Sequence, residues 1–219
     1  MTNIYLITVY HLLYTIIFNI NRYMHLNKPI NQLSTIKNLD ALTKLQSLLK
    51  DYDWDHDAAV KSNNNRSDPA FNDSYCIQFT SSDLICHISS NYKRNYSQST
   101  LEIVNLGEIL TNEVLQLFPD HYHLKSHFVS IKPKGKQICH VDNAFYHKYS
   151  NRLVIPITTK LSKTMIDDKE YHLDIGSIYE MNNRLPHWSE NYDDDFRVFL
   201  FLDVISSVNL GIIKIYYHY

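Results

Sequence analysis

Hydrophobic positions are densest at the start of the chain. Residues 4–18 are almost wholly apolar, but a membrane-spanning helix needs about 20 such residues. The stretch also lacks the basic start and the small-residue cleavage site of a secretory signal. We therefore interpret residues 1–23 as an apolar N-terminal extension, either a packing element or a translated segment upstream of a start at Met24. A short membrane anchor within residues 4–20 is the alternative.

Two later segments have the apolar spacing of amphipathic helices. Residues 33–49 carry Leu or Ile at every third or fourth position, which places these side chains on one face. Ser34 or Thr35 is positioned to cap the start of this helix. Residues 106–118 repeat the pattern. The polar, Asn-rich residues 51–74 predict a loop, and its aspartates lack the Gly turn and terminal Glu of a calcium loop.

From about residue 120 the pattern changes to short stretches rich in Ile, Val, Tyr and Phe, separated by turn residues. Such stretches are typical of β-strands. We predict two early strands, 76–79 and 84–88, and eight later ones: 121–131, 136–142, 151–158, 163–174, 177–182, 186–191, 196–205 and 210–217. Helices followed by this many strands predict a mainly β fold with flanking helices, a sandwich or barrel. Residues 24–219 then form a single domain.

Composition narrows the class of protein. The net charge is −2 and no long run of Lys or Arg occurs, which argues against a nucleic-acid partner. Cys76, Cys86 and Cys139 are odd in number and have no C-x-x-C spacing. We therefore expect no disulfide framework, no structural zinc, and a reducing, cytoplasmic compartment.

His140 and Asp142 are candidate metal ligands. They are two residues apart, which puts both side chains on one face of an extended strand. His187, at the opening of a predicted strand, is the third candidate. Two imidazoles and one carboxylate suit a divalent transition metal and leave three octahedral positions open. An isolated H-x-D pair has low specificity in a chain with 12 histidines, and a surface or structural role is then the more common outcome.

Two arginines add a requirement for an anion. Arg197 lies ten residues after His187 and begins an apolar strand, and Arg152 begins another. A guanidinium inside a barrel needs an anionic partner because an unpaired buried charge is costly. The far carboxylate of a small dicarboxylic acid would bind it through two hydrogen bonds. Either arginine alone is equally explained by an exposed ion pair with the aspartates at 193–195, so the combination with both histidines carries the inference.

Together these residues resemble the aspartyl/asparaginyl β-hydroxylase family, a branch of the iron(II)- and 2-oxoglutarate-dependent oxygenases. That family has a His after a Pro-Gly-type turn, an Arg that begins an apolar strand, and a Gly before a short strand. An Asn or Asp then precedes a second His, and an Arg follows ten residues later. Between about residues 126 and 205 this chain has the same order: Pro133, Gly135, His140, Arg152, Gly176, Asn182 or Asn183, His187, Arg197 and Asp203 in the closing strand.

The resemblance implies a double-stranded β-helix, the jelly roll also found in cupins, at about residues 120–217. It implies that His140, Asp142 and His187 bind iron(II). Some members of the family have Gly at the carboxylate position, whereas this chain has a complete set of three ligands. The asparagines at 182–183 are placed to orient His187 from outside the ligand shell.

The resemblance also implies a binding site for 2-oxoglutarate. Arg197 would hold its distal carboxylate, helped by Ser130, and Arg152 would contact the carboxylate nearest the metal. Val154 stands where some members have a His, so the resemblance does not imply the extra cosubstrate contact of that His.

The implied reaction consumes O2 and 2-oxoglutarate, releases succinate and CO2, and hydroxylates an amino-acid side chain. The substrate is an Asp or Asn residue of a peptide or protein, or a free amino acid such as proline. Two alternatives remain: a catalytically inactive jelly-roll binding protein, and a metal-dependent hydrolase that uses the same His/Asp/His set. An inactive protein would usually have lost a ligand or the anion-binding arginine, and hydrolysis does not need Arg197.

The remaining histidines near these motifs have simpler interpretations. His147 and His172 lie in turn-like surroundings, and we expect them to face solvent. Three others belong to the predicted strand 121–131, where they are ordinary strand residues that could line a pocket: His121, His123 and His127.

Overall fold

The computed structural model describes residues 28–55, 73–81, 96–158 and 161–211. The apolar extension 1–23 and the predicted strand 84–88 lie outside these ranges, as do most of the loop 51–74 and the end of the predicted strand 210–217. No helix within the described ranges is long and apolar enough to cross a membrane.

The described residues form nine β-strands: β1 (Ile30–Thr35), β2 (Ser74–Ser81), β3 (His121–Ile131), β4 (Asn151–Pro156), β5 (Ser162–Ile166), β6 (Lys169–Tyr171), β7 (Ser177–Met181), β8 (His187–Asn191) and β9 (Arg197–Ser206). Six of them make one sheet in the order β1-β7-β4-β9-β3-β2, and three make a second sheet in the order β6-β5-β8. All neighbouring strands are antiparallel.

Two α-helices precede most of the strands. Helix α1 (Leu39–Lys50) begins where the Asn38 side chain accepts a hydrogen bond from the Ala41 amide. Helix α2 (Gln98–Leu115) begins in the same way at Ser97, which accepts from the Thr100 amide. Both caps satisfy amides that have no partner within the first helical turn.

The helices cover one face of the six-stranded sheet. Buried side chains of α1 and α2, such as Leu45 and Leu110, pack there against Phe128, Leu153 and Leu200. The opposite face meets the second sheet through a separate apolar cluster: Ile131, Val154, Ile166, Leu173, Tyr179, Met181 and Phe199. Two facing sheets with helices outside form the double-stranded β-helix, which confirms the predicted fold class.

Strand β9 shows how sequence alternation builds these two layers. Val198, Leu200 and Leu202 belong to the helix-covered layer, whereas Phe199 belongs to the layer between the sheets. Because successive side chains of a strand point to opposite faces, Arg197 also points between the sheets. The fold therefore directs this arginine into the interior of the jelly roll.

The first predicted helix begins later than expected. Residues 30–35 form strand β1, paired with β7 at the sheet edge, and Asn38, not Ser34 or Thr35, caps the helix. The Gln32 side chain donates a hydrogen bond of 3.2 Å to the Ser177 hydroxyl. Backbone pairing at a mostly exposed edge thus outweighs the helical spacing of Leu33 and Ile36.

Three strand predictions are also wrong in detail. Residues 136–142 make only isolated bridges, at Lys136 and His140. The predicted strand 163–174 is a hairpin, β5 and β6, because Asp167 and Asp168 both have positive φ and form a tight turn. Residues 207–211, where the last strand was expected to begin, are helical.

Candidate metal centre

The structure brings the three predicted metal ligands together. His187 is the first residue of β8, and its backbone exchanges two hydrogen bonds with that of His140, of 3.0 and 2.9 Å. The Asp142 amide donates to the Asn183 carbonyl. One donor atom from each of His140, Asp142 and His187 lies within 4.8 Å of the other two. Pairing between a loop and a strand therefore builds the cluster.

Both imidazoles are oriented by the backbone. Nδ1 of His140 lies 2.9 Å from the Ile138 carbonyl oxygen, and Nδ1 of His187 lies 2.9 Å from that of Leu185. A proton on Nδ1 satisfies each carbonyl and makes Nε2 the ring nitrogen that carries the lone pair. Burial, followed by the neighbouring His140, lowers the pKa of His187 to about 4. At neutral pH this residue is the neutral imidazole that metals bind.

Asp142 is held as a carboxylate. Its Oδ2 accepts hydrogen bonds from Arg152 Nη1 and from Asn183 Nδ2, the latter at 2.9 Å, while Oδ1 lies 4.0 Å from His140 Nε2. Burial alone would raise the pKa of Asp142, but the charge of Arg152 and weaker contributions from His147 and His187 outweigh it. The pKa is thereby held well below its usual range.

Arg152 is bound by a second carboxylate. It lies opposite Asp203 on the neighbouring strand, and its Nε and Nη2 donate to the two Asp203 oxygens at 2.8 and 2.9 Å. The guanidinium therefore joins Asp203 to Asp142. The hydrogen-bond partners of Arg152 in this structure are these two acidic side chains, and it also lines the cavity described below. Its contact with a cosubstrate carboxylate stays a prediction.

The surroundings of Arg197 differ from those of Arg152, because its hydrogen-bond partners are uncharged. Its side chain is 1% exposed and donates to the carbonyls of Lys163 and Glu190 and, at 2.9 Å, to the Thr164 hydroxyl. The guanidinium also lies over the Phe199 ring, 4.2 Å from its centroid. Burial lowers its pKa to about 9, and no acidic residue in the described ranges offsets that effect. Such a cation requires an anion for full stabilisation.

One cavity of about 420 Å³ connects these elements. It is lined by the three candidate ligands and by Thr164, whose hydroxyl accepts a hydrogen bond from Arg197. Ser189 lines the same cavity and lies 3.3 Å from the Thr164 hydroxyl. The metal-ligand set and the neighbourhood of the buried arginine thus open onto a common space.

Ser130 lies apart from this cavity. It alternates with Phe128 on β3 and stands opposite Val198 on β9, and both of those residues belong to the helix-covered layer. Its hydroxyl therefore points to the face of the sheet opposite the cavity. The expectation that Ser130 assists Arg197 is wrong because strand alternation turns the side chain away.

His147 was also placed wrongly. It is 6% exposed, and its Nδ1 lies 3.2 Å from Asn183 Nδ2 beside the candidate ligand Asp142. Burial, followed by the charge of Arg152, lowers its pKa to about 4. His172 is exposed as expected. A short 3-10 turn, Phe145–Lys148, directs His147 inward, and nothing in the local sequence indicated this.

Asn183 and His127 also lie at the candidate site. Asn183, expected to orient His187, instead donates to Asp142; its only sequence signal was its place just before the second His. His127 lines the cavity, as was considered, and stacks on Phe201 with ring centroids 5.4 Å apart.

No family model and no curated protein sequence matches this chain. Similar solved structures include a Trichoplax adhaerens prolyl hydroxylase in complex with a hypoxia inducible factor peptide fragment (10% identity, 94% of this chain and 96% of that one, TM-score 0.55). HygX from Streptomyces hygroscopicus, with nickel, 2-oxoglutarate and hygromycin B bound, has 9% identity over 84% and 86%, TM-score 0.52. A Pseudomonas putida prolyl-4-hydroxylase has 11% identity over 82% and 94%, TM-score 0.50. The chain shares the fold of these proteins.

Proposed function

We propose that this chain is an iron(II)- and 2-oxoglutarate-dependent oxygenase that hydroxylates an amino-acid side chain. One observation carries the proposal. A two-His, one-carboxylate set and the surroundings of a buried arginine without an acidic partner among the described residues border a single cavity. The first element matches a metal site and the second matches an anion site.

The donor set fits iron(II). One donor atom from each of two imidazoles and one ionised carboxylate lies within 4.8 Å of the other two, and two His with one carboxylate is the ligand composition of non-haem iron oxygenases. His140, Asp142 and His187 would hold the ion and leave three positions for other ligands. Bound iron(II) supplies the activation of O2 that is coupled to decarboxylation of 2-oxoglutarate.

The other part of the cavity fits the cosubstrate. Arg197 supplies a rigid donor fork and Thr164 a hydroxyl, the pair of groups that a carboxylate oxygen binds well. Phe199 and Met181 provide apolar walls, which exclude water and strengthen the charge interaction. These residues bind and orient a small dicarboxylate, with its other end directed to the three ligands.

The alternatives explain less of the site. A metal-dependent hydrolase needs the three ligands but has no use for a buried guanidinium beside the same cavity. An inactive jelly-roll binding protein has no need of two backbone-oriented imidazoles next to an ionised carboxylate. The oxygenase function uses every one of these features.

The substrate class belongs to the same proposal. A structure of this fold holds a peptide, and two such structures are prolyl hydroxylases, so a proline residue or free proline is the first compound to test. Aspartate and asparagine residues follow, because the ordered motif resembles the aspartyl/asparaginyl β-hydroxylases.

In the described ranges Cys76 and Cys139 are both free, which supports a reducing, cytoplasmic compartment.

Variants that lose the binding of either the metal or the cosubstrate, one at a time, test the proposal. We expect Arg197→Met to weaken 2-oxoglutarate binding at least tenfold, because it removes the guanidinium that would bind the distal carboxylate, and to leave metal affinity within about twofold. His140→Ala should lose the metal. Calorimetric titration of the purified chain, with cobalt(II) and then 2-oxoglutarate, measures both, and the surface variant Lys136→Gln is the control. Equal loss of metal and 2-oxoglutarate in Arg197→Met would contradict the assignment.

A further inference from the structure

One oxygen of Asp142 is already fully used by the protein. Its Oδ2 accepts hydrogen bonds from both Arg152 and Asn183, which together occupy the two lone pairs of that oxygen. Its Oδ1 lies on the side of His140 Nε2. The carboxylate is therefore oriented so that a single oxygen faces the candidate metal position.

The donor Arg152, whose Nη1 contacts Asp142, is itself held in place through its Nε and Nη2 atoms. Asp203 binds it through two parallel hydrogen bonds and is completely buried at the centre of the six-stranded sheet. The Phe201 ring lies 5.5 Å from the guanidinium carbon. Carboxylate, guanidinium and carboxylate thus form a continuous chain from the sheet interior to the ligand, and each link has a defined geometry.

We propose that Arg152, Asn183 and Asp203 are positioning residues that hold Asp142 as a one-oxygen metal ligand. This inference rests on the proposed function. A carboxylate that bound with both oxygens would take one of the three positions that two His and one carboxylate leave open. With Oδ2 held by the protein, all three positions stay available for the cosubstrate and O2.

Asp203 has a second effect through its charge. Arg152 alone would offset the charge of Asp142 and weaken the attraction of the site for a cation. Asp203 neutralises the guanidinium, so the chain of three groups retains one net negative charge. A residue that cannot reach the metal thereby contributes to its affinity.

Cobalt(II) binding tests the role of each link. We would titrate cobalt(II) alone, against a fluorescent chelator, into the wild type, Asn183→Ala, Asp203→Asn and the double variant Arg152→Met/Asp203→Asn. Each should bind cobalt(II) about 10- to 100-fold more weakly, the usual effect of removing a partner of a metal ligand. The visible spectrum of the bound ion should also change in Asn183→Ala and in the double variant, as Asp142 gains freedom to bind through both oxygens.

The control is Glu180→Gln. It removes an equal charge from the strand next to Arg152, but Glu180 pairs in register with Leu153 and so points to the other face of the sheet. Its cobalt(II) affinity and spectrum should equal those of the wild type. If Arg152, Asn183 and Asp203 had only a structural role, their variants would melt at a lower temperature without metal. Their cobalt(II) affinity and spectrum would still equal those of the wild type.

The outcomes separate the two proposals. If the wild type does not bind cobalt(II), the proposed function is wrong. If the wild type binds it and the variants show the same affinity and spectrum, the positioning role is wrong while the metal site stands. Where the double variant does not fold, Asn183→Ala and Asp203→Asn decide the question, since each removes one partner only, and Asp203→Asn also keeps the side-chain volume.

Discussion

The two arginines of the site are both buried, yet they meet opposite electrostatic environments. Arg152 lies between two carboxylates, and these raise its pKa against the effect of burial. Arg197 has carbonyl and hydroxyl partners, and burial lowers its pKa to about 9. Arg152 is therefore neutralised by the protein's own carboxylates, whereas Arg197 has no acidic partner among the described residues.

At the scale of single residues, His147 predicts a pH dependence of stability. Its pKa is about 4 in the folded protein and about 6.5 when unfolded, so between these values the unfolded chain binds more protons. The free energy of unfolding of the metal-free protein should fall as the pH is lowered through this window, by on the order of 2 kcal/mol for this residue. Urea denaturation at pH 7, 6 and 5 measures it.

The variant His147→Gln should flatten that dependence, because it removes the group that gains a proton on unfolding. His187, whose pKa is also about 4, maintains part of the slope. The matched comparison is His172→Gln, which replaces a histidine at an exposed position. An equal slope in the wild type and in His147→Gln would exclude His147 as a source.

At the scale of elements, helix α2 approaches the sheet at Gly107. A Cβ at this position would lie 2.7 and 2.8 Å from two atoms of the Phe128 ring and 2.9 Å from Phe79. Gly→Ala in a helix interior ordinarily stabilises by about 1 kcal/mol. Here the sign should reverse, and Gly107→Ala should lower the free energy of unfolding by about 1–3 kcal/mol through overpacking.

Thermal denaturation compares this variant with Asn105→Ala on the exposed side of the same helix. The control should gain about 0.5 kcal/mol from helix propensity alone. If both variants were stabilised to the same extent, the close approach of α2 to Phe128 would be wrong.

The elements also show what the sequence could predict. Strands β3, β4, β7, β8 and β9 lie where alternation and turn residues placed them, because their own side chains form the core. Strand β1 was missed because pairing with β7, more than 140 residues later, defines it. The β5–β6 turn had a local signal that was overlooked, since two consecutive aspartates tolerate the positive φ it requires.

The candidate site also contains residues that the local sequence indicates and contacts that only strand pairing defines. His140, Asp142, His187 and Arg197 were predicted from spacing, residue chemistry and the family resemblance, because their ordered combination is more specific than any one of them. The link from Arg152 to Asp203 was not, since it depends on the register of β4 against β9. Strand alternation on β3 could have excluded Ser130, but only once its partner strands were known.

At the scale of the whole molecule, the ligands join a loop segment to the second sheet. His140 and Asp142 precede β4, and His187 begins β8, so an ion bound by these three candidate ligands would hold the segments together. Binding to the folded state alone stabilises by about 2.7 kcal/mol at a free metal concentration 100 times the Kd. We expect cobalt(II) to raise the melting temperature of the wild type and to leave that of His140→Ala unchanged; a rise in both would place the bound ion elsewhere.

Turnover of 2-oxoglutarate tests the central claim most directly. The purified chain, supplied with iron(II), ascorbate, O2 and 2-oxoglutarate, should form succinate, and its rate should rise with a proline-containing peptide or another accepted substrate. His140→Ala should form none above background, and Arg197→Met should form at least about tenfold less at 2-oxoglutarate concentrations below the wild-type Kd. Succinate from the wild type, with these losses in the two variants, is the predicted result. No succinate with any substrate, from a wild type that binds cobalt(II) and 2-oxoglutarate, would contradict the oxygenase assignment.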